Sequence, residues 1–165
     1  QDLQPEDKTS METKVNDEVT IKPIDPTASR FTFEGFAPGK SHEGTFDVYS
    51  GELYYDSEGA LVGAKGTIDA TSVNTGIQRL DSHLLSEDFF RTPTYPTIEI
   101  ASTAVENGMM TADLTFIGTT KSVAFPVTFG ENSVSADFLL DTTPFGMQYT
   151  AVNKNVKISF TMVAT

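Results

Sequence analysis

Hydrophobic and polar residues alternate with a period of two along most of the chain from residue 20 onward. Phe31 and Phe33 alternate with polar neighbours, as do Phe46 and Val48, and each run is short and bounded by turn-forming residues. Alternation of this kind gives a half-buried antiparallel strand one apolar and one polar face. The pattern predicts about eight or nine strands and therefore an all-β protein.

One stretch breaks the alternation and is predicted to form a short helical insertion over about residues 75–91. Thr75 is expected to cap the helix in a reciprocal capping box with Gln78. Continued helix is excluded beyond Pro93 and Pro96, so the chain re-enters a sheet there. Apolar side chains recur at the spacing of one helix face at Ile77, Leu80, Leu84 and Leu85.

Many short strands with a single helical insertion indicate either a β-sandwich or an up-and-down β-barrel. We favour an antiparallel barrel of about eight strands, because closure removes the exposed strand edges on which other chains can pair. Pro126 has no N–H to donate, so its strand is expected to lie at an edge or a seam, or to carry a bulge there.

The predicted interior contains small side chains beside aromatic ones. Ala64 and Gly66 occupy inward positions of one strand, which leaves space for something other than the protein's own side chains. A bulge or sharp bend at Gly66 explains the glycine equally well, and both interpretations stay open. An eight-stranded barrel is either just filled by its side chains or wide enough for one small ligand.

Composition and charge narrow the classes of partner. The 165 residues are 38% hydrophobic, which is ordinary for one globular domain, and no apolar run approaches membrane-spanning length. The formal net charge of −12 argues against a nucleic-acid partner or an anionic bilayer surface, because both would repel the chain. The absence of cysteine excludes disulfides, thiolate nucleophiles and cysteine-ligated metals.

The first residues differ in composition from the rest. Residues 1–19 are rich in acidic and polar side chains and are predicted to form a flexible acidic arm, followed by a folded domain over residues 20–165. The chain opens at Gln1 rather than Met, which indicates processing, such as removal of a secretory signal. The arm is interpreted either as a tether to a membrane anchor or as a frayed terminus.

Residues suited to catalysis are few. His42 and His83 are the only histidines, and His42 lies in a polar stretch where a hydrogen-bonded loop histidine is the expected role. Asp81 and Ser82 stand too close in sequence to His83 to form a catalytic triad on a helix. No pair of histidines has metal-ligand spacing, and no phosphate-binding loop or nucleophile elbow is present. We therefore predict no enzymatic activity, no catalytic residue and no metal site.

Seven segments together resemble the signature of the YceI-like family of bacterial lipid-binding proteins. The resemblance covers about residues 20–165 and departs from the family at Leu80, where an arginine is frequent, and at Ser122, where a proline is frequent. Arg79 is the nearest substitute for that arginine. The matching segments are HEGTF at 42–46, SVNTG at 72–76, LDSHL at 80–84, SEDFF at 86–90, YPTI at 95–98, AST at 101–103 and DLTFIGTTK at 113–121.

The resemblance implies an extended, lipocalin-like, antiparallel eight-stranded β-barrel that holds a long-chain amphiphilic isoprenoid, either a polyprenyl lipid or an isoprenoid quinone, without other cofactors. It also implies an exported protein, periplasmic or on the outer surface, as a lipoprotein if the arm is a tether. A homodimer is a further hypothesis. The side chains expected to line the channel are Phe31, Phe33, Phe46, Ile68, Phe89, Phe90, Ile100, Leu114, Phe116, Phe125, Phe138, Met147 and Phe160.

The leading hypothesis is therefore a module that sequesters or transports an isoprenoid. The rival hypothesis is a barrel whose core is filled by its own side chains and which binds another protein through its acidic surface.

Overall fold

The computed structural model describes residues 18–147 and 152–165. It is all-β with one short α-helix, which confirms the predicted fold class. The N-terminal arm falls almost entirely outside the described residues and stays a prediction. The described strands are β1 (Thr20–Pro23), β2 (Arg30–Ala37), β3 (Lys40–Phe46), β4 (Tyr49–Tyr55), β5 (Leu61–Asp69), β6 (Val73–Asn74), β7 (Thr97–Glu106), β8 (Met109–Phe116), β9 (Thr119–Pro126), β10 (Thr128–Gly130), β11 (Ser133–Asp141) and β12 (Asn155–Val163).

The strands form two six-stranded antiparallel sheets. The order is β1-β4-β5-β7-β8-β9 in the first sheet and β10-β11-β12-β2-β3-β6 in the second. The α-helix, α1, spans Gln78–Leu84, and short 3-10 helices span Ala70–Ser72 and Thr143–Phe145. A single bridge between Ile24 and Ala164 links the first sheet to the second near β1.

The expected closed eight-stranded barrel is wrong in two respects, since the described residues hold twelve strands and the two sheets do not form one closed ladder. The chain turns a corner and continues in the other sheet three times, from β3 to β4, from β5 to β6 and from β9 to β10, which raises the strand count by three. The short β1 supplies the remaining strand.

Two of the three corners show a local effect on a particular residue. Pro126 ends β9 immediately before the corner to β10, where its missing N–H is not needed by a ladder, so it lies at a seam. The corner between β3 and β4 separates Phe46, which is buried, from Val48, which is 57% exposed. The alternation in the sequence predicts that these two side chains share one face of a strand. The break between β3 and β4 at Asp47 puts them on different faces.

The connections divide the molecule into two ends. One end, here called the plug end, carries the β2–β3 hairpin, residues 75–96 (the plug), the β8–β9 turn and the β11–β12 connection. The other end, the turn end, carries the tight turns β4–β5, β7–β8 and β10–β11. The two longest connections between the described strands, the plug and the β11–β12 connection, therefore both lie at the plug end.

The hydrophobic core is divided in the same way. A cluster at the plug end includes Phe33, Phe46, Phe90 and Phe116. A second cluster at the turn end is built around Phe125 and includes several of the most deeply buried side chains in the described residues. The space between the two clusters is where an internal cavity can persist.

The plug is held by Asp81 rather than by the predicted capping box. Ile77 is the N-cap residue of α1 and makes no side-chain cap bond. The carboxylate of Asp81 accepts hydrogen bonds from the backbone N–H of Thr75 at 2.9 Å and from its hydroxyl at 2.6 Å. The hydroxyl of Thr75 in turn accepts the N–H of Ile77 at 3.2 Å instead of that of Gln78. Asp81 therefore ties α1 to Thr75, the first residue of the plug after β6.

Replacing Asp81 by alanine is expected to destabilise the protein by about 1–2 kcal/mol, because two donors on Thr75 lose their charged acceptor. For a chain of this size the melting temperature would fall by about 3–6 °C. Ser82→Ala is the matched control, since Ser82 is exposed on the same helix. Equal melting temperatures for the two variants in calorimetry would show that Asp81 does not anchor the plug.

Candidate ligand cavity

The two sheets and the plug enclose a cavity of about 270 Å³. All thirteen side chains predicted to line a channel lie on its wall: Phe31, Phe33, Phe46, Ile68, Phe89, Phe90, Ile100, Leu114, Phe116, Phe125, Phe138, Met147 and Phe160. The volume is close to the lower end of the range of about 300–1,000 Å³ found for small-molecule pockets. The interior is therefore not filled by its own side chains, and the role of these residues in ligand binding stays a prediction.

Aromatic rings form the wall at the plug end. The ring centroid of Phe46 lies 5.8 Å from that of Phe31, 5.4 Å from Phe33 and 5.7 Å from Phe90. Phe90 comes from the plug and also meets Phe116 at 5.8 Å in an edge-to-face arrangement. Tilted and edge-to-face pairs at these distances add about 0.5–1.5 kcal/mol each to the gain from burial. The plug thus completes the wall with the side chain of Phe90.

The turn end of the cavity is closed by stacked rings. The rings of Phe125 and Phe138 are nearly parallel, 4° apart, with centroids separated by 4.4 Å. Phe160 approaches Phe125 edge-on at 6.1 Å. Phe125 is 1% exposed, and Leu53 and Val134, which also line the cavity, are similarly buried. This closure leaves the plug end, with its partly exposed lining residues, as the way into the cavity.

Two paired glycines widen the middle of the cavity. Gly51 and Gly66 face each other across β4 and β5 in regular register, so Gly66 does not mark a bulge. A Cβ atom built on Gly66 would lie 3.4 Å from the side chain of Ile100 and 3.5 Å from the carbonyl oxygen of Ser50, which are ordinary contacts. Both glycines line the cavity, so the interpretation of Gly66 as a space-giving residue is the correct one.

The lining also carries a few polar groups. His42 lies on β3 rather than in the expected loop, and it lines the cavity. Among the described residues its imidazole makes no hydrogen bond, which corrects the expectation of a hydrogen-bonded loop histidine. The phenol of Tyr49 is a second polar group, and burial raises its pKa, so it remains neutral in the wall.

His83 lies away from the cavity lining. Its Nε2 atom lies 2.8 Å from an oxygen of Asp88, and its ring meets that of Phe89 edge-on at 4.9 Å. Asp81 is committed to Thr75, so Asp81, Ser82 and His83 do not form a triad. Within residues 18–147 and 152–165, no three histidine or acidic side chains converge as a metal site.

Several lining residues escaped the sequence analysis although they share a strand face with predicted ones. Val123 alternates with Phe125, and Met110 alternates with Leu114 through Ala112, so the same period of two identifies them. The polar lining residues Asn153 and Thr142 carry no such signal, because they lie in the connection between β11 and β12. The further apolar lining residues on predicted faces are Ile98, Val134, Leu140, Val156, Ile158 and Met162.

None of the described helices has the length and apolar character needed to cross a membrane.

Comparisons with known proteins agree with the fold. A family model described as the YceI-like domain matches residues 23–164. Protein YceI of Escherichia coli O157:H7 is 38% identical over 85 residues, which are 48% of this chain and 44% of that protein. A UPF0312 protein of Staphylococcus aureus strain USA300 is 33% identical over 94 residues, which are 56% of this chain and 54% of that protein. The chain spans about half the length of these curated relatives.

Two solved structures share the architecture. BcnA of Burkholderia cenocepacia matches with a TM-score of 0.72 and 22% identity, covering 86% of this chain and 99% of that one. A polyisoprenoid binding domain from Saccharophagus degradans, implicated in plant cell wall breakdown, matches with a TM-score of 0.65 and 18% identity, covering 90% and 99%. The likeness of these structures concerns the fold, and the family model covers most of the chain, so this protein belongs to the YceI-like family, as its sequence motifs predicted.

Proposed function

We propose that the protein binds one long-chain amphiphilic isoprenoid in its internal cavity and sequesters or transports it without catalysis. The observation that carries the proposal is an unfilled cavity whose wall is almost entirely apolar, in which aromatic rings from both sheets and from the plug surround the space. An apolar chain is the ligand that such a wall binds best, because binding it leaves no polar group unpaired.

Burial of apolar surface alone can supply the binding free energy, so no specific polar contact is needed along the chain of the ligand. Burying on the order of 400 Å² of apolar ligand surface gains about 10 kcal/mol before the costs of association and ordering. The stacked rings at the turn end stop the ligand there, so its apolar tail is expected to enter first and its polar head to remain at the plug end.

The comparisons support a lipid over other apolar ligands. The Saccharophagus degradans domain is named as polyisoprenoid binding, and the chain shares its fold over 90% of its length. Polyprenyl lipids and isoprenoid quinones are therefore the candidate ligands, and the role is that of a binding protein rather than of an enzyme.

The cellular setting belongs to the same proposal. An isoprenoid carrier works beside a membrane, so we place the protein in the periplasm or on the outer surface, held as a lipoprotein by the acidic arm of residues 1–19. A homodimer remains part of the hypothesis, to be tested by ultracentrifugation with and without the lipid.

Lipid extraction is the direct test. Protein purified without detergent and extracted with organic solvent is expected to release an isoprenoid that mass spectrometry identifies. Adding a prenol at about 100 times its dissociation constant should stabilise the emptied protein by about 2.7 kcal/mol and raise its melting temperature by about 5–10 °C. Repeated absence of extracted lipid together with no thermal shift would favour the rival, a protein-binding module acting through its acidic surface.

A further inference from the structure

We propose that His42, with Asn153 across β2 from it, forms a site at the mouth of the cavity for the uncharged oxygen of a ligand head group, either a hydroxyl or a carbonyl. This inference rests on the proposed function, since it describes the polar end of the same ligand. It adds a specificity that the apolar wall cannot provide.

The position of His42 is set by the pairing of β2 and β3. His42 shares the inward face of β3 with Gly44 and Phe46, both of which are buried. Its partner across the hairpin is Gly35, and no atom lies within 4 Å of the point where a Cβ on Gly35 would stand. The imidazole therefore borders open space at the plug end instead of packing against a neighbour.

The hydrogen-bonding capacity of His42 is unused by the described residues. A neutral imidazole provides one donor and one acceptor, and a hydroxyl can satisfy both, whereas a carbonyl satisfies the donor. An unpaired polar group on an otherwise apolar wall lowers the affinity of a hydrocarbon that covers it. The same group favours a ligand that brings an oxygen to this point.

Asn153 supplies a second donor at the same end of the cavity. Its backbone N–H donates to the carbonyl oxygen of Phe36 at 2.7 Å, which places it on the β12 side of β2, whereas His42 lies on the β3 side. Its Oδ1 atom accepts the N–H of Asn155 at 2.8 Å, which fixes the orientation of the amide and leaves its NH₂ group available. Both residues line the cavity, so each presents a donor to the polar end of a ligand from its own side of β2.

Charge at the mouth argues against a phosphate head. Lys65 is the one Lys or Arg among the described lining residues, and its side chain lies on the outer face, opposite Glu52. Glu34 and Glu43, which pair beside His42, also lie on the outer face. Among the described lining residues no cation therefore faces the cavity, so a phosphate finds no partner for its charge on the wall, whereas an uncharged oxygen needs none.

The test compares ligands that share one tail length and differ in the head. The probes are a prenol, a prenyl quinone, a prenyl phosphate and the corresponding hydrocarbon, measured by displacement of a fluorescent apolar probe. The intact protein is expected to bind the prenol or the quinone about tenfold more tightly than the hydrocarbon, and the prenyl phosphate less tightly than the prenol. The prenol and quinone arms distinguish a hydroxyl from a carbonyl head.

Variants at the mouth localise that preference. His42→Ala is expected to abolish the tenfold preference while leaving the hydrocarbon bound at least as tightly as before, and His42→Gln to restore part of the preference. Asn153→Asp keeps the acceptor for Asn155 but removes the donor, so it should weaken the preference as well. Glu43→Ala, on the outer face of the same strand, is the control and should retain it.

The outcomes separate this inference from the proposed function. Equal binding of prenol and hydrocarbon by the intact protein, an undiminished preference in His42→Ala, or tighter binding of the phosphate would each overturn the head-group site while leaving isoprenoid binding intact. Failure to bind any of the four probes would overturn both.

Discussion

Gly66→Leu is expected to abolish isoprenoid binding while leaving the protein folded. The added side chain would project into the cavity that Gly66 lines, and a Cβ there meets its nearest neighbours at 3.4 and 3.5 Å without a clash. Leucine also packs in a strand better than glycine, so the free protein should be as stable as before or more stable. Filling the cavity with part of the protein itself removes the space that the ligand occupies.

The measurement is the thermal shift on adding a prenol, together with the amount of lipid that mass spectrometry finds in the purified protein. The lipid content is expected to fall at least a hundredfold, and the thermal shift is expected to disappear. Val62→Leu is the matched control, because Val62 lies on the same strand, is 42% exposed and does not line the cavity. A folded Gly66→Leu variant that still carries lipid would show that the ligand binds elsewhere.

The strand faces were predictable because burial imposes the period of two directly on the sequence. The ten predicted lining residues that lie on strands reached the cavity for that reason, and Val123 and Met110 follow the same rule, whereas Phe89, Phe90 and Met147 lie outside the strands. The corners were less predictable, since the bending of a long strand from one sheet into the other depends on curvature of the whole sheet. At the corner after β9 the sequence carries a chemical signal, Pro126. The corner between β3 and β4 has no such signal, and Val48 was therefore assigned to the wrong face.

The polar part of the site was missed for a different reason. His42 stands among polar residues before a glycine, a composition that is typical of a turn, yet β3 begins at Lys40 and carries the imidazole inward. Asn153 is distant in sequence and reaches the mouth through a backbone hydrogen bond to Phe36. Contacts between single polar residues that are far apart in the chain produce no periodic pattern in the sequence, so the pattern does not predict them.

The plug combines two roles that the sequence suggested separately. Its polar residue Asp81 fastens its start to Thr75, while its apolar residue Phe90 joins rings from the sheets in the cavity wall. Because Asp81 anchors the plug and Phe90 forms part of the cavity wall, the plug holds a fixed position over the cavity. Loosening Asp81 is therefore expected to affect stability first, and ligand retention only through displacement of Phe90.

Leu114→Glu is expected to weaken isoprenoid binding about a hundredfold, because it places a carboxylate on the apolar wall where the tail of the ligand would strip it of water. Leu114 lines the cavity and faces Ile100 on one side and Lys121 on the other. Lys121 offers the new carboxylate a cation in the empty protein, which favours a folded variant whose ligand affinity can be measured. Titration of the emptied protein with a prenol gives that affinity.

Thr111→Glu is the matched control for this change, because Thr111 lies on the outer face of the same strand and does not line the cavity. It adds the same charge to β8 and should leave prenol affinity within about twofold of the original. Leu114→Gln, which keeps the shape without the charge, should fall between the two, since an uncharged amide costs less to desolvate than a carboxylate. Unchanged affinity in a folded Leu114→Glu variant would mean that the tail of the ligand does not pass this point, and the proposed path from the mouth to the stacked rings of Phe125 and Phe138 would be wrong.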